Sequence, residues 1–124
     1  MNIDQDISAL DLDPIGYKLC LDEGWALDQI DQAITEYRIF LQAVRLNVGP
    51  LVPTNQTDTV WHHHILDTEK YHEDCDNLFG RYVHHFPYSG LMGEDDAQLQ
   101  EKRFSRSLAV YQEISSTQKE TGNV

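Results

Sequence analysis

The sequence is poor in basic residues and in uninterrupted apolar runs, and each shortage excludes a class of protein. Nine Lys and Arg stand against 21 Asp and Glu in 124 residues, so the formal net charge is −12 at pH 7. Phosphate backbones and anionic membrane surfaces are bound through basic faces, so this balance argues against nucleic-acid binding and against membrane-surface binding. No segment of the sequence approaches the roughly 20 apolar residues that cross a bilayer, so we expect no membrane span.

Cysteines are also scarce, and a targeting signal is lacking. Cys20 and Cys75 are the two cysteines, too few for a disulfide framework. Residues 1–13 are acidic and lack the basic start and apolar run of a secretory signal. We therefore expect a cytoplasmic protein with both thiols reduced, while the sequence alone leaves a bridge between the two cysteines open.

The negative charge is concentrated in the first third of the chain. Residues 1–36 contain nine acidic residues and one base, Lys18. A solvated acidic surface that keeps a small protein dispersed is one interpretation of this pattern. A docking face for a protein partner with a basic face is the other. The sequence does not indicate an oligomeric state.

The apolar pattern predicts an all-α fold, a single compact bundle of four to five helices that forms one domain over residues 1–124. No segment alternates cleanly with period two, as a half-buried strand would. Asp13-Pro14 is typical of a helix start, and that helix should end at Gly24 with Tyr17 and Leu21 on its apolar face. Further helical segments are expected over about 28–46, 57–66, 67–82 and 95–115, with an irregular segment at 84–92 and a frayed polar tail at 116–124. Asp67-Thr68 is either the cap of a new helix or a kink, and a helix that continues through Asp67 would place His64 and Cys75 on one stripe.

All six histidines lie within one short stretch, residues 62–85: His62, His63, His64, His72, His84 and His85. Neutral imidazole is the commonest ligand for zinc, copper and iron, and carboxylates and thiolates complete such sites. The stretch therefore predicts a transition-metal site, with the metal left open among these three. Its candidate ligands are His62, His64 and one of His84 and His85, with Asp58 as a ligand or orienting partner of His62 and Cys75 as a thiolate ligand or core residue.

Helical spacing restricts which of these side chains can meet. Asp58 and His62 are four residues apart and share a helix face. His62 and His64 are about 200° apart, so an unbroken helix cannot direct both at one ion. The stretch also lacks the CxxC, HExxH and Glu-x-x-His spacings of established metal sites. The alternative is a structural cluster, with His62 bonded to Asp58 and His64 buried beside Trp61 and Tyr71.

Two catalytic arrangements are also compatible with the sequence. Cys75 with His72 or His64 could form a thiolate–imidazole pair, and Asp58 with His62 could form an oriented general base. No glycine-rich phosphate loop is present, and no catalytic residue is assigned. Whether the protein is an enzyme is left undecided.

Two functions of different classes therefore stand side by side. The first is a small metal-binding protein or metalloenzyme that uses the histidine stretch. The second is a non-enzymatic helical adaptor in which Trp61, Tyr71, Phe86 and Tyr88 shape a groove and the acidic first third faces a basic partner.

The histidine stretch also carries a family resemblance. Val-Pro-Thr at 52–54, Asp58, Trp-His-His-His at 61–64, then Tyr71 and Asp74-Cys75 follow one another in the order of a recognisable block. This order resembles the glycine-rich domain-containing protein-like family, in its short bacterial stand-alone branch, over about residues 14–115. The glycine-rich tail is absent, and the resemblance implies no particular activity. It implies that the second of the three adjacent histidines, His63, occupies a variable position and faces solvent.

Overall fold

A computed structural model describes residues 2–85 and 93–122, with side chains as far as residue 116. Within those ranges the chain is helical and contains no strand, which confirms the all-α prediction. The elements are α1 (Gln5–Ser8), α2 (Asp13–Lys18, continued by a π-helix over Leu19–Glu23), α3 (Leu27–Leu46), α4 (Asn55–Leu66), α5 (Thr68–Phe79) and α6 (Glu94–Gly122).

Local signals in the sequence set most of the helix ends. The π-helix is followed by Gly24 and α5 by Gly80, both with φ of +69°, a left-handed conformation that glycine adopts without strain. Thr54 caps α4, because its hydroxyl accepts a hydrogen bond from the Thr57 amide at 3.2 Å. At Asp67 the backbone leaves the helical region, so α4 and α5 are separate helices. His64 and Cys75 therefore do not share one continuous helix.

Helix α3 is the centre of the packing. It contacts α1, α2, α4 and α6, and its buried side chains include Tyr37 and Phe40. Burial of such large aromatic side chains is a principal source of stability in a small domain. Around α3, the core is completed by Ile7, Leu12, Ile15, Leu19, Val60, Trp61, Tyr71 and Cys75.

The predicted apolar face of α2 is wrong. Tyr17 and Leu21 are 67% and 59% exposed, whereas Ile15 and Leu19 are buried. Both pairs are four residues apart, so either could form a helix face. Ile15 and Leu19 extend to the buried Leu12, which gives the inner face three aliphatic side chains.

Two arginines of α3 hold the N-terminal segment in place. Arg38 donates hydrogen bonds to the carbonyl oxygens of Ile7 and Leu10, at 2.7 and 3.0 Å. Arg45 forms ion pairs with Asp4 and Asp6, at 2.9 and 2.6 Å. Part of the acidic first third is therefore neutralised within the molecule.

The remaining predictions about the chain have mixed outcomes. Helix α6 runs to Gly122, seven residues beyond the predicted end, while the single domain and the frayed tail stay predictions.

Cys20 is exposed, Cys75 is buried, and both are free thiols. No described helix is both long and apolar enough to cross a bilayer. Of the expected irregular segment, His84 and His85 are non-helical, and residues 86–92, including Phe86 and Tyr88, lie outside the described part.

Candidate functional site

Three side chains from two separate parts of the chain converge beside α4. Asp58 and His62 are one turn apart on α4, and His85 comes from the segment that follows α5. His85 Nε2 lies 2.6 Å from Asp58 Oδ1 and 3.3 Å from His62 Nε2, and His62 Nε2 lies 3.7 Å from Asp58 Oδ2. Among the described residues, this is the one group of His, Cys, Asp and Glu side chains close enough to hold a metal ion.

A relay of buried aromatic side chains brings His85 to α4. The Trp61 indole donates a hydrogen bond to the Tyr71 hydroxyl at 2.9 Å, and that hydroxyl donates to the carbonyl oxygen of Val83. Val83 is itself buried. The His85 ring then packs on Trp61, with ring centroids 4.6 Å apart. Since Trp61 belongs to α4 and Tyr71 to α5, the relay places His85 by means of core contacts.

The three groups can share protons when no ion is present. An imidazole N–H donates and a carboxylate accepts, so the short contact is a hydrogen bond from His85 Nε2 to Asp58 Oδ1. The side chain of His62 is 54% exposed, so water can reach its ring nitrogens. A cation in the centre would replace the proton between His85 and Asp58 and meet the carboxylate and both imidazoles at once.

The spacing of the three groups can be compared with metal geometry. Ligand atoms about 2.1 Å from an ion lie roughly 3.0 Å apart at octahedral angles, 3.4 Å at tetrahedral angles and 4.2 Å when opposite each other. The two contacts of His62, 3.3 Å to His85 Nε2 and 3.7 Å to Asp58 Oδ2, lie within the range of these values. The 2.6 Å contact between Asp58 and His85 is a hydrogen-bond distance, and it would have to open by several tenths of an ångström around an ion.

His64, by contrast, belongs to a separate buried network. It is 1% exposed, and its Nδ1 lies 2.7 Å from the Tyr37 hydroxyl while its Nε2 lies 2.8 Å from Asp74 Oδ2. Lys70 forms an ion pair with the same carboxylate oxygen at 3.0 Å. With the imidazole proton on Nε2, the ring donates to Asp74 and accepts from Tyr37, so both nitrogens are satisfied.

Burial governs the ionisation of this network. Loss of solvent lowers the pKa of His64 below its ordinary value, although its hydrogen bond to Asp74 acts in the opposite direction. Burial likewise raises the pKa of Tyr37 well above its ordinary value, so its hydroxyl remains a donor. The hydrogen bonds among Tyr37, His64 and Asp74 thus connect α3, α4 and α5, and each of these side chains already has a polar partner.

The other predicted ligands do not reach the three converging groups. Cys75 is buried at 2% exposure in the core and His84 is exposed, with its ring 4.7 Å from that of Tyr82. His72 pairs on the surface with Asp76 at 3.5 Å. Neither proposed partner of Cys75 gives it a catalytic setting, because His72 lies on the surface and His64 is committed to Tyr37 and Asp74.

The prediction for His63 is wrong. Its side chain is 9% exposed and lies 3.1 Å from Glu23 Oε1, so it packs against the π-helix. His62, at 54% exposure, is the outward-facing member of the three adjacent histidines. The variable position of His63 in the motif did not predict its exposure, because the exposure depends on its contact with Glu23 of the π-helix.

A polar cleft of about 530 Å³ adjoins Asp58 and His85. Its lining includes the apolar segment 50–53, which leads into α4 and is hydrogen-bonded to α6 through Val52, and it includes Gln100 and Arg103 of α6. On a different side, His62 and His85 border a smaller hollow of about 240 Å³ with Ile65 and Leu66. The three converging groups are thus accessible, and we call the larger space the α4–α6 cleft.

Comparison with known proteins places the chain in a family. The model of the UCP032817-like family matches residues 23–121, which is most of the sequence, so the chain belongs to that family. No curated protein matches the chain. No solved structure matches it either.

This match corrects the resemblance drawn from the histidine block. The chain does not belong to the glycine-rich domain-containing protein-like family, because the family match is a different one. The block of Asp58, Trp61 and the neighbouring histidines is too short to identify a family on its own. The name of the matching family states no ligand and no reaction, so the function is argued from geometry.

Proposed function

We propose that this member of the UCP032817-like family binds one divalent transition-metal ion through Asp58, His62 and His85. The observation that carries the proposal is the meeting of three side chains that are spread over 27 positions of the sequence. His85 Nε2 lies 2.6 Å from one oxygen of Asp58 and 3.3 Å from His62 Nε2, and each side chain offers a ligand atom within 4.8 Å of the other two. A carboxylate and two imidazoles form a donor set used by zinc and by non-haem iron(II).

Solvent exposure supports a site with a free coordination position. The side chains of His62 and Asp58 are 54% and 36% exposed, and His85 is 18% exposed. Structural zinc sites are enclosed by four protein ligands, whereas catalytic sites keep one position for water or substrate. Three ligands beside an open cleft resemble a catalytic site more than a structural one. We therefore infer a metal centre that can bind a further molecule.

His64, His84 and Cys75 are left out of this proposal. His64 has both ring nitrogens engaged by Tyr37 and Asp74, and Cys75 lies in the core. His84 lines the α4–α6 cleft without joining the cluster of three. Six candidate ligands are thereby reduced to three.

Metal binding can be tested by loading tag-free protein with zinc or, without oxygen, with iron(II). Elemental analysis should give one ion per chain. Competition with a chromogenic chelator should show that His85→Ala and Asp58→Asn weaken binding by roughly a hundredfold or more, since even removal of a group behind a ligand costs 10–100-fold. His72→Ala is the matched control, because His72 also pairs with a carboxylate one turn away but on the surface.

Two results would reject the proposed function. One is an ion content below about one-tenth per chain after loading. The other is the same affinity in His85→Ala as in His72→Ala, which would assign the ion to surface histidines.

The adaptor alternative has less support from the described residues. Trp61 and Tyr71 are buried and bonded to each other, so they do not form an open aromatic groove. Asp4 and Asp6, two acids of the presumed docking face, already pair with Arg45. Phe86 and Tyr88 lie outside the described part.

A further inference from the structure

The α4–α6 cleft contains a cation that takes part in none of the ion pairs of the described side chains. Arg103 lines this cleft from α6 and is half-buried. Those ion pairs engage Lys18, Arg45 and Lys70 among the Lys and Arg residues. Of the described Lys and Arg residues outside them, Arg103 is the one that lines the cleft beside Asp58 and His85.

Carboxylates of the cleft itself do not neutralise Arg103. Asp58 is the acidic side chain of the lining, and its short contact is with His85. A guanidinium offers five donors in a planar fork that suits a carboxylate or a phosphate. Arg103 is therefore available to an anion that enters the cleft.

Part of the cleft lining is apolar. It includes Pro50, Leu51, Val52, Pro53 and Trp61. Such a surface favours a ligand with a carbon body next to its charged group, because the body then leaves water. A volume of about 530 Å³ lies within the range of small-molecule sites.

We propose that the α4–α6 cleft binds a small organic carboxylic acid, whose carboxylate pairs with Arg103 and whose apolar body lies on the segment 50–53. The inference rests on the proposed function, since a carboxylate oxygen would also occupy the free position of the ion held by Asp58, His62 and His85. A singly charged carboxylate suits the cleft better than a doubly charged phosphate, because Asp58 repels added negative charge.

The test compares a carboxylate with its neutral counterpart on zinc-loaded protein. Benzoate and benzamide have nearly the same shape, and calorimetry measures the affinity of each. We expect benzoate to bind, and Arg103→Gln to weaken it roughly tenfold or more, in line with a charge-assisted hydrogen bond. Lys102→Gln is the matched control, because it removes the same charge from the neighbouring, exposed position of α6.

The outcomes separate this inference from the metal proposal. Three results would overturn the carboxylate proposal. They are equal benzoate affinity in Arg103→Gln and Lys102→Gln, no benzoate binding at all, and tighter binding of benzamide or inorganic phosphate than of benzoate. Chelator competition on Arg103→Gln should give an unchanged zinc affinity, and the melting temperature should show that the variant is folded. The protein could also take up no metal and still bind benzoate in a way that depends on Arg103. That result would reject the metal site and keep the carboxylate site.

Discussion

His85 Nε2 lies 2.6 Å from Asp58 Oδ1, and this contact joins the segment after α5 to the first turns of α4. Without an ion, the contact is a hydrogen bond that helps to hold the segment in place. With an ion, the same two atoms would become ligands, and the proton between them would be released. Metal binding and the position of His85 should therefore be coupled.

Zinc should stabilise the fold if this coupling exists. An ion that binds only the folded chain adds about 2.7 kcal/mol to the free energy of unfolding at a hundred times its dissociation constant. We expect the melting temperature to rise with added zinc and to return with a chelator. His85→Ala should lose this response and His72→Ala should keep it. A response of equal size in both variants would contradict the assignment.

Acidification should weaken the fold through His64. Because burial lowers its pKa, the unfolded chain takes up a proton near pH 6.5 while the folded chain does not. The stabilising contribution is complete above that value, and the free energy of unfolding should fall as the pH drops from 6.5 to 5.5, by at most about 1.4 kcal/mol per pH unit. Asp74, Lys70 and Tyr37 are the ionisable groups bonded to His64 or to its partner.

Urea unfolding at several pH values, with a chelator present, measures this slope. His64→Gln should flatten the slope, whereas His72→Gln, at an exposed position, should leave it as it is. A slope that persists in His64→Gln would show that another group is responsible.

Two leucines of the π-helix provide a test of its orientation. Leu19 is fully buried and Leu21 is 59% exposed, so the same substitution should have very different effects. Leu19→Ala should lower the free energy of unfolding by about 2–5 kcal/mol, the usual cost of a cavity in a core. Leu21→Ala should change it by less than about 0.5 kcal/mol. Chemical unfolding of both variants checks this, and similar losses would mean that the helix is rotated.

Arg45 should control the order of the N-terminal segment. It pairs with Asp4 and Asp6 and also donates to the carbonyl oxygen of Leu78 at 2.8 Å, so three parts of the chain depend on it. The hydrogen bond from Arg45 holds the pKa of Asp6 below its ordinary value. Arg45→Gln should accelerate hydrogen exchange of the α1 amides several-fold, with little change in α6.

The matched control is Lys18→Gln, which removes an exposed ion pair with Asp22 on a single helix. Exposed pairs of this kind contribute about 0–1 kcal/mol, so exchange in α1 should stay unchanged. Faster exchange in both variants would indicate an effect of net charge.

The helices could be predicted from the sequence because their ends are local. Asp13-Pro14, Gly24 and Thr54 act within a few residues, and each lies at or beside an observed helix end. The apolar face of α2 could not be predicted in the same way, because two faces of equal spacing compete and packing on α3 and α4 decides between them. The π-helix over Leu19–Glu23 was not predicted either.

The candidate site, too, could be predicted only in part from the sequence. Asp58 and His62 could be paired from their spacing, and the separation of His62 from His64 follows from helix geometry. His85 could not be chosen over His84 from the sequence, because its place depends on the buried relay from Trp61 through Tyr71 to Val83. Arg103 was missed altogether, since no local pattern marks an arginine of α6 that will line a cleft beside α4.

The N-terminal packing has a consequence for any attempt to shorten the protein. The family match begins at residue 23, yet Ile7, Leu12, Ile15 and Leu19 fill the core at 0–2% exposure. The border of the matched region thus runs through the interior and not along the surface. Trimming the chain to the matched residues would uncover Ile30 and Ile34 of α3, against which Gly16 lies. The matched region is therefore shorter than the region that must be kept for the core to close.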